Sequence, residues 1–214
     1  MKIIAKKRIL CFGDSNTWGW VPFSMGAKRY SLDKRWTGIL QKSLGDDYEI
    51  IEEGLGGRTT MFDDPRPEFP QRNGLQILPI ILETHLPLDY VILMLGTTDT
   101  KEMFNLSSQK TTKGMQKIIQ TIKNYRVLEG FSSPQILLIV PPIVVEETDF
   151  ASKLFKGASE KSKKLVKFYK ELSKQEKILY LDPTQEVKVD QKEGIHIDET
   201  NHEKLAKLIY EKIK

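Results

Sequence analysis

Three side chains at two distant positions of the chain could act together in nucleophilic catalysis. Ser15 follows the apolar run 9–12, and Glu193 and His196 lie three residues apart near the C-terminus. A serine hydroxyl is a poor nucleophile until a base removes its proton. An imidazole removes protons near neutral pH, and a carboxylate holds that imidazole in the required tautomer. On one helical turn Glu193 and His196 would face the same way, so these residues form a candidate nucleophile, base and acid.

A glycine-rich segment could supply the remaining part of such chemistry. Attack on a carbonyl group creates an oxyanion, which needs preorganised donors such as backbone N–H groups. Gly57, within segment 54–60, has no side chain to keep a substrate away from its N–H. We therefore predict that Gly57 is an oxyanion donor.

Alternating apolar runs and amphipathic segments predict the elements that position these residues. Short apolar runs of this length are typical of strands buried on both faces of a parallel sheet. The segments between them have helical spacing, and Thr200 with Glu203 is a predicted N-terminal cap of the last helix. The predicted strands are 9–12, 48–51, 90–95, 136–140 and 178–181, and the predicted helices are 32–44, 74–85, 114–128, 163–172 and 199–213.

This alternation predicts one α/β domain over residues 1–214, a three-layer sandwich with a mainly parallel sheet. Right-handed crossovers would place helices on both faces of the sheet. Ligands bind such sheets at the carboxyl ends of the strands. The polar, glycine-bearing segments 13–20, 54–60, 96–101 and 193–198 would gather at that edge.

Composition and charge exclude several classes of protein. The formal charge is only +4, from 33 basic and 29 acidic side chains, which does not require a nucleic-acid partner. The single cysteine, Cys11, excludes an intramolecular disulfide and favours a reducing compartment. Residues 1–8 are basic but too short for a signal peptide, and no apolar stretch has the length of a membrane span. We expect a cytoplasmic protein.

Two other kinds of site fit the sequence poorly. Segment 54–60 could be a phosphate loop of a nucleotide or flavin binder, but neither the P-loop motif nor the dinucleotide fingerprint is present. The histidines, His85, His196 and His202, lack zinc-ligand spacing. We therefore predict neither a metal ion nor an organic cofactor.

The ordered motifs resemble the SGNH hydrolase family, also called GDSL esterases and lipases, and are most similar to its bacterial aryl-esterase and acyltransferase branch. The resemblance implies a flavodoxin-like α/β/α sandwich with about five strands and hydrolysis through a serine-bound acyl intermediate. It covers nearly the whole chain, in the stretches 13–20, 35–38, 52–55 with 58–60, 84–89, 94–101 and 194–196.

Further roles are implied by the resemblance alone. The backbone N–H of Ser15 would be the first oxyanion donor, and Asp14 would brace the loop that carries Ser15. Trp18 and Trp20 would shape an acyl pocket. Lys101, the last residue of stretch 94–101, is a candidate substrate-binding residue. Phe155 is another, in a segment 150–155 that could wall the pocket together with loop 63–73.

Two positions depart from the family pattern. Thr98 stands where the family usually has an asparagine oxyanion donor, and its hydroxyl is on a shorter and stiffer side chain. Glu193 stands where the family usually has aspartate, and Asp190 is a rival acid if the loop folds back. These departures keep open a second hypothesis, a weak or inactive relative that binds acyl or carbohydrate ligands.

The expected substrate is a small or aromatic acyl ester, with acyl transfer to alcohols as a side reaction if the pocket excludes water. Homo-oligomers with restricted entrances occur in the aryl-esterase branch, so we also expect self-association. The sequence does not name the physiological ester.

Overall fold

A computed structural model of the chain describes residues 6–214, so the first five residues of the basic N-terminal segment lie outside the described residues. The five predicted strands are present and pair in parallel, in the order β2-β1-β3-β4-β5. They are β1 (Lys7–Gly13), β2 (Tyr48–Gly54), β3 (Tyr90–Met94), β4 (Gln135–Ile139) and β5 (Leu179–Leu181).

The five predicted helices are also present, and a short helix after β1 is added. Helices 74–85 and 199–213 have the predicted bounds. The third predicted helix begins at residue 108 instead of 114, because the Ser107 side chain caps it by accepting a hydrogen bond from Lys110 N. The helices are α1 (Ser15–Trp18), α2 (Trp36–Leu44), α3 (Gly74–His85), α4 (Ser108–Lys123), α5 (Ala158–Glu176) and α6 (Glu199–Ile213).

The predicted cap of α6 is wrong by two residues. Asp198, not Thr200, is the N-cap, and its carboxylate accepts a hydrogen bond from Asn201 N at 2.8 Å. A carboxylate satisfies an unpaired N–H group of the first turn and also interacts favourably with the helix dipole. Thr200 is therefore inside the helix.

Two apolar cores, one on each face of the sheet, complete the predicted three-layer α/β/α sandwich. Alternate residues of β1 point to opposite faces. Leu10 and Phe12 pack in the core formed with α3, α4 and α5, whereas Ile9 and Cys11 pack in the core formed with α2 and α6. Cys11 is fully buried, as expected for a small apolar side chain.

The parallel register brings the ends of three strands to one edge of the sheet. Gly13 at the end of β1 is paired with Gly54 of β2 and with Met94 of β3. The segments that follow these strands therefore begin side by side. No helix within residues 6–214 is both long enough and apolar enough to cross a membrane.

Candidate active site

Ser15, His196 and Glu193 lie in one line of contacts at this edge. His196 Nε2 is 3.0 Å from Ser15 Oγ, and His196 Nδ1 is 2.5 Å from Glu193 Oε1. Ser15 and His196 are each only 6% exposed, and Glu193 is completely buried. The structure thus brings Ser15 to a Glu193–His196 pair that lies about 180 positions away in the sequence.

Glu193 and His196 lie in a tight turn, so the predicted helical turn at this position is wrong. Glu193 Oε2 bends back and accepts hydrogen bonds from Ile195 N at 2.9 Å and His196 N at 2.8 Å. Gly194 has φ +89°, and a Cβ atom there would lie 2.2 Å from the carbonyl oxygen of Val145. Only glycine fits this position without strain.

The electrostatics of Glu193 suit an ionised acid. Burial by itself raises the pKa of Glu193, but the hydrogen bond and charge of His196 and the two backbone N–H groups outweigh burial. The pKa of Glu193 is therefore held below its usual value. A carboxylate that stays ionised can hold the imidazole and stabilise its protonated form.

Asp190, the rival acid, shapes the turn instead. Its Oδ1 accepts hydrogen bonds from Lys192 N at 2.9 Å and Glu193 N at 2.8 Å, an arrangement typical of an Asx turn. Its backbone N–H donates to His196 O at 2.7 Å. The side chain that meets the His196 ring is that of Glu193.

Ser15 begins the short helix α1, directly after β1. Asp14 is the N-cap of α1, and its Oδ1 accepts a hydrogen bond from Asn16 N at 3.0 Å. Burial raises the pKa of Asp14 to about 6, partly offset by that hydrogen bond and by the charge of His196. Asp14 therefore lies where the expected bracing of the Ser15 turn requires it.

Asn16 is a site residue that the sequence analysis missed. Its Oδ1 accepts a hydrogen bond from Ile197 N at 3.0 Å, and its Nδ2 donates to Ile195 O at 3.3 Å. Both ends of one buried amide thus hold the residues on either side of His196. The position beside Ser15 was the only signal in the sequence, since the partners are backbone atoms of any residue type.

The two further candidate oxyanion donors follow β2 and β3. Gly57 has φ +78°, and Thr98 begins a one-turn 3-10 helix and is 3% exposed. The buried carboxylate of Asp99, next to Thr98, accepts hydrogen bonds from the N–H and the hydroxyl of Thr60. This contact ties the segment of Gly57 to that of Thr98.

The two tryptophans after Ser15 occupy different positions. The Trp20 ring stacks on the His196 ring, with centroids 4.8 Å apart and planes at 12°. Trp18 meets Trp20 edge-on, with ring centroids 6.1 Å apart. The Arg29 guanidinium lies over the Trp18 ring, 5.4 Å from its centre. Trp20 therefore contacts the candidate base, and Trp18 lies one ring further away.

Lys101 and Phe155 lie together beside this line of contacts. Lys101 Nζ is 5.7 Å from the centre of the Phe155 ring, and Phe155 packs in a small apolar cluster with Ile195, the neighbour of His196. Burial, reinforced by the charge of Arg66, lowers the pKa of Lys101 to about 8.

The predicted pocket walls separate into two parts. Phe155 points into the interior, whereas Phe150 meets Phe23 at 5.7 Å in an open groove of about 660 Å³ outside the Glu193 turn. In loop 63–73, Arg72 Nε donates to Gly56 O at 2.8 Å, which places this loop next to Gly57. No group of three or more potential metal ligands occurs in the described part of the chain.

The chain is similar to known proteins over nearly its whole length. The family model for the GDSL-like lipase/acylhydrolase family matches residues 11–203. An aryl esterase from M. smegmatis is 40% identical, with a TM-score of 0.89 over 97% of this chain and 98% of that chain. A carbohydrate acetylesterase from Sinorhizobium meliloti is 38% identical, with a TM-score of 0.90 over 97% of this chain and 98% of that chain.

A lipase/acylhydrolase from Enterococcus faecalis shares the fold at 21% identity and a TM-score of 0.66, over 97% of this chain and 95% of that chain. No curated protein sequence matches significantly.

Proposed function

The chain belongs to the GDSL-like lipase/acylhydrolase family and is a carboxylic ester hydrolase, and we propose that Ser15, His196 and Glu193 are its nucleophile, base and acid. The observation that carries this proposal is the unbroken contact from Glu193 Oε1 through the imidazole to Ser15 Oγ, at 2.5 and 3.0 Å.

In the first half-reaction Ser15 Oγ attacks the carbonyl carbon of the ester while His196 Nε2 takes the hydroxyl proton. Glu193 stabilises the imidazolium that forms. The tetrahedral intermediate collapses, the leaving alcohol takes the proton from His196, and the acyl group stays on Ser15. In the second half-reaction His196 activates water, which releases the acid and restores the serine.

The oxyanion of each tetrahedral intermediate would receive hydrogen bonds from the backbone N–H groups of Ser15 and Gly57 and from the hydroxyl of Thr98. These donors belong to three strand ends that the sheet fixes in place. Preorganised donors of this kind stabilise developing charge without reorganisation during the reaction. The Asp99–Thr60 contact supports their arrangement by joining two of the segments.

The proposed substrates are esters of short acyl groups with an aryl or carbohydrate alcohol. Supporting this are the similar aryl esterase and carbohydrate acetylesterase. Trp18 would contact the apolar part of the substrate, and Phe155 would close the pocket behind Lys101. Acyl transfer to an alcohol in place of water is a proposed side reaction of the same acyl-serine.

The test is steady-state hydrolysis of p-nitrophenyl acetate, butyrate and octanoate by the wild type and by Ser15→Ala. Turnover that disappears in Ser15→Ala identifies the nucleophile, and the preference among the three esters gives the acyl length. Equal turnover by both proteins would contradict the proposal.

A second candidate function is ligand binding without turnover, which Thr98 favours because loss of one oxyanion donor lowers rates by about 10²–10³. A fluorophosphonate that labels the wild type and leaves Ser15→Ala unlabelled would exclude it. Cytoplasmic location, self-association and action of the whole chain as one catalytic domain remain predictions, of which gel filtration tests the second.

A further inference from the structure

The imidazole of His196 is held on its face as well as on its edge. Ser15 Oγ contacts its Nε2 and Glu193 Oε1 contacts its Nδ1. The indole of Trp20 covers one face, almost parallel to it at 12° and with centroids 4.8 Å apart. Contacts to the two ring nitrogens alone leave the ring free to tilt about the line between them, and a flat aromatic contact opposes that tilt.

The indole itself is fixed from several sides. Trp20 N donates to Ser15 O at 3.1 Å, and Trp20 pairs with Arg29 in an isolated antiparallel bridge. Gly26 lies so close that a Cβ atom there would be 2.8 Å from Cη2 of the indole. Trp18 closes one edge, so the indole is a rigid surface for the imidazole.

The N–H group of the indole does not explain why a tryptophan stands at position 20. Its Nε1 is buried and has no hydrogen-bond partner within residues 6–214. A buried donor without a partner is unfavourable, so the N–H group of the indole adds no stability here. The contact that the indole makes with the site is that of its face with His196.

We propose that Trp20 is a positioning residue that fixes the plane of the His196 ring and stabilises its protonated form during turnover. This inference rests on the proposed role of His196 as the base. An imidazolium over the face of an indole within 6 Å is attracted by the ring quadrupole. The protonated base forms in both half-reactions, so the stack acts in acylation and in deacylation.

An acyl-pocket wall and a base-positioning residue differ in how their loss depends on the substrate. A wall contacts the acyl chain, so its removal changes KM and has a larger effect on long acyl groups than on acetate. A residue that acts through His196 affects every ester by the same factor and changes kcat. The acyl series therefore separates the two roles.

The kinetic experiment compares Trp20→Leu, which fills space without an aromatic face, with Trp20→Phe, which keeps a face. We expect Trp20→Leu to lower kcat about tenfold on p-nitrophenyl acetate, butyrate and octanoate alike. Trp20→Phe should recover most of that loss, with KM within about threefold of the wild type in both. A loss that grows with acyl length, or that falls mainly on KM, would overturn the proposal.

A fluorescence titration tests the stack without any turnover. A protonated imidazole quenches an indole that it contacts more strongly than a neutral imidazole does, so Trp20 emission should fall as His196 is protonated. His202 also lies near a tryptophan residue, because the backbone N–H of Trp36 donates to His202 Nδ1 at 3.2 Å. Burial lowers the pKa of His202 to about 3, so His202 stays neutral above pH 5.

The titratable groups whose charges interact with that of His196 are Glu193, Asp14 and His202. We expect an acid quench of the emission in the wild type and its loss in both His196→Gln and Trp20→Phe. A quench that persists in His196→Gln would come from another group such as Asp14 and would overturn the stack. A normal quench in a wild type that hydrolyses no ester would overturn the proposed function instead.

Discussion

Replacing Glu193 by glutamine tests the proposed acid with almost no change of shape. The amide oxygen of glutamine can keep the bonds from Ile195 N and His196 N, which leaves its NH₂ group facing His196 Nδ1. An NH₂ group only donates, so the ring proton must move to Nε2, which faces Ser15. Nε2 then carries the ring proton and has no lone pair with which to accept the proton of Ser15.

The expected loss follows from that exchange of tautomer. In the serine protease triad the corresponding change lowers kcat by about 10⁴, and we expect a similar loss here. Hydrogen bonds to a charged acceptor are each stronger than neutral ones by about 1 kcal/mol. Two backbone bonds are affected, so the free energy of unfolding should fall by about 2 kcal/mol, which lowers the Tm by about 4–8 °C.

The matched control is Glu193→Asp, which keeps the charge and shortens the side chain by about 1.5 Å. Gly194 and the contacts of Asp190 hold the backbone of the turn, so the aspartate contact with Nδ1 should open and kcat should fall less than in the glutamine variant. The assay is kcat on p-nitrophenyl acetate, with the Tm measured on the same samples. Activity of Glu193→Gln within tenfold of the wild type would refute the assigned role of Glu193.

Four further outcomes are expected. Thr98→Asn adds a longer donor and should raise the rate of fluorophosphonate labelling, by up to about 10²; an unchanged or lower rate would mean that the site is adapted to threonine. Ser15→Ala and His196→Ala should each abolish turnover, and the double variant should lose little more; a far larger loss in the double variant would mean that they act separately. Asn16→Leu leaves two buried backbone groups unpaired and should lower the free energy of unfolding in urea by about 2–4 kcal/mol, together with kcat; an unchanged kcat would contradict a link to His196. Burial raises the pKa of Asp99 to about 7, so the folded state retains a proton between pH 4 and 7 that the unfolded chain releases, and stability falls as pH rises through that window; urea unfolding at pH 5 and 8 should show a smaller difference in Asp99→Asn, and an equal difference would contradict the assignment.

The strands and the three central site residues could be predicted because their signals are local or chemical. Each strand is a short apolar run, and burial on both faces of a parallel sheet requires that pattern. Ser15, Glu193 and His196 have complementary chemistry as nucleophile, acid and base. Their residue types therefore predicted their association, although Ser15 and His196 are 181 positions apart. The ends of the helices were less predictable because side-chain caps such as Ser107 and Asp198 decide them.

The contacts that hold the site together leave no such signal. Asn16 binds backbone atoms of residues 195 and 197, and backbone atoms are the same in every sequence. The stack of Trp20 on His196 depends on the path of the chain through Gly26, which brings two rings together from opposite ends of the sequence. The resemblance implies a place for Trp20 in a pocket wall, but residue type alone does not say which face of an indole is used, so the contact with His196 had no signal in the sequence.

The departure from aspartate at position 193 has a structural explanation in the turn itself. The extra methylene of glutamate lets one carboxylate oxygen return to the backbone N–H groups of Ile195 and His196 while the other oxygen reaches the ring. The acid and the base therefore form one rigid unit. Thr148 Oγ1 donates to Glu193 O at 2.9 Å, and Val145 N donates to Gly194 O at 2.8 Å.

This unit meets the Ser15 turn through Asn16 and through the indole of Trp20. Both of those residues belong to the segment that immediately follows the nucleophile. A displacement of that segment would move the serine together with the amide and the indole that hold His196, and so would preserve the 3.0 Å contact between Ser15 Oγ and Nε2. The geometry needed for proton transfer is therefore maintained by two short segments, 15–20 and 193–197. The rest of the fold has only to keep these two segments in contact.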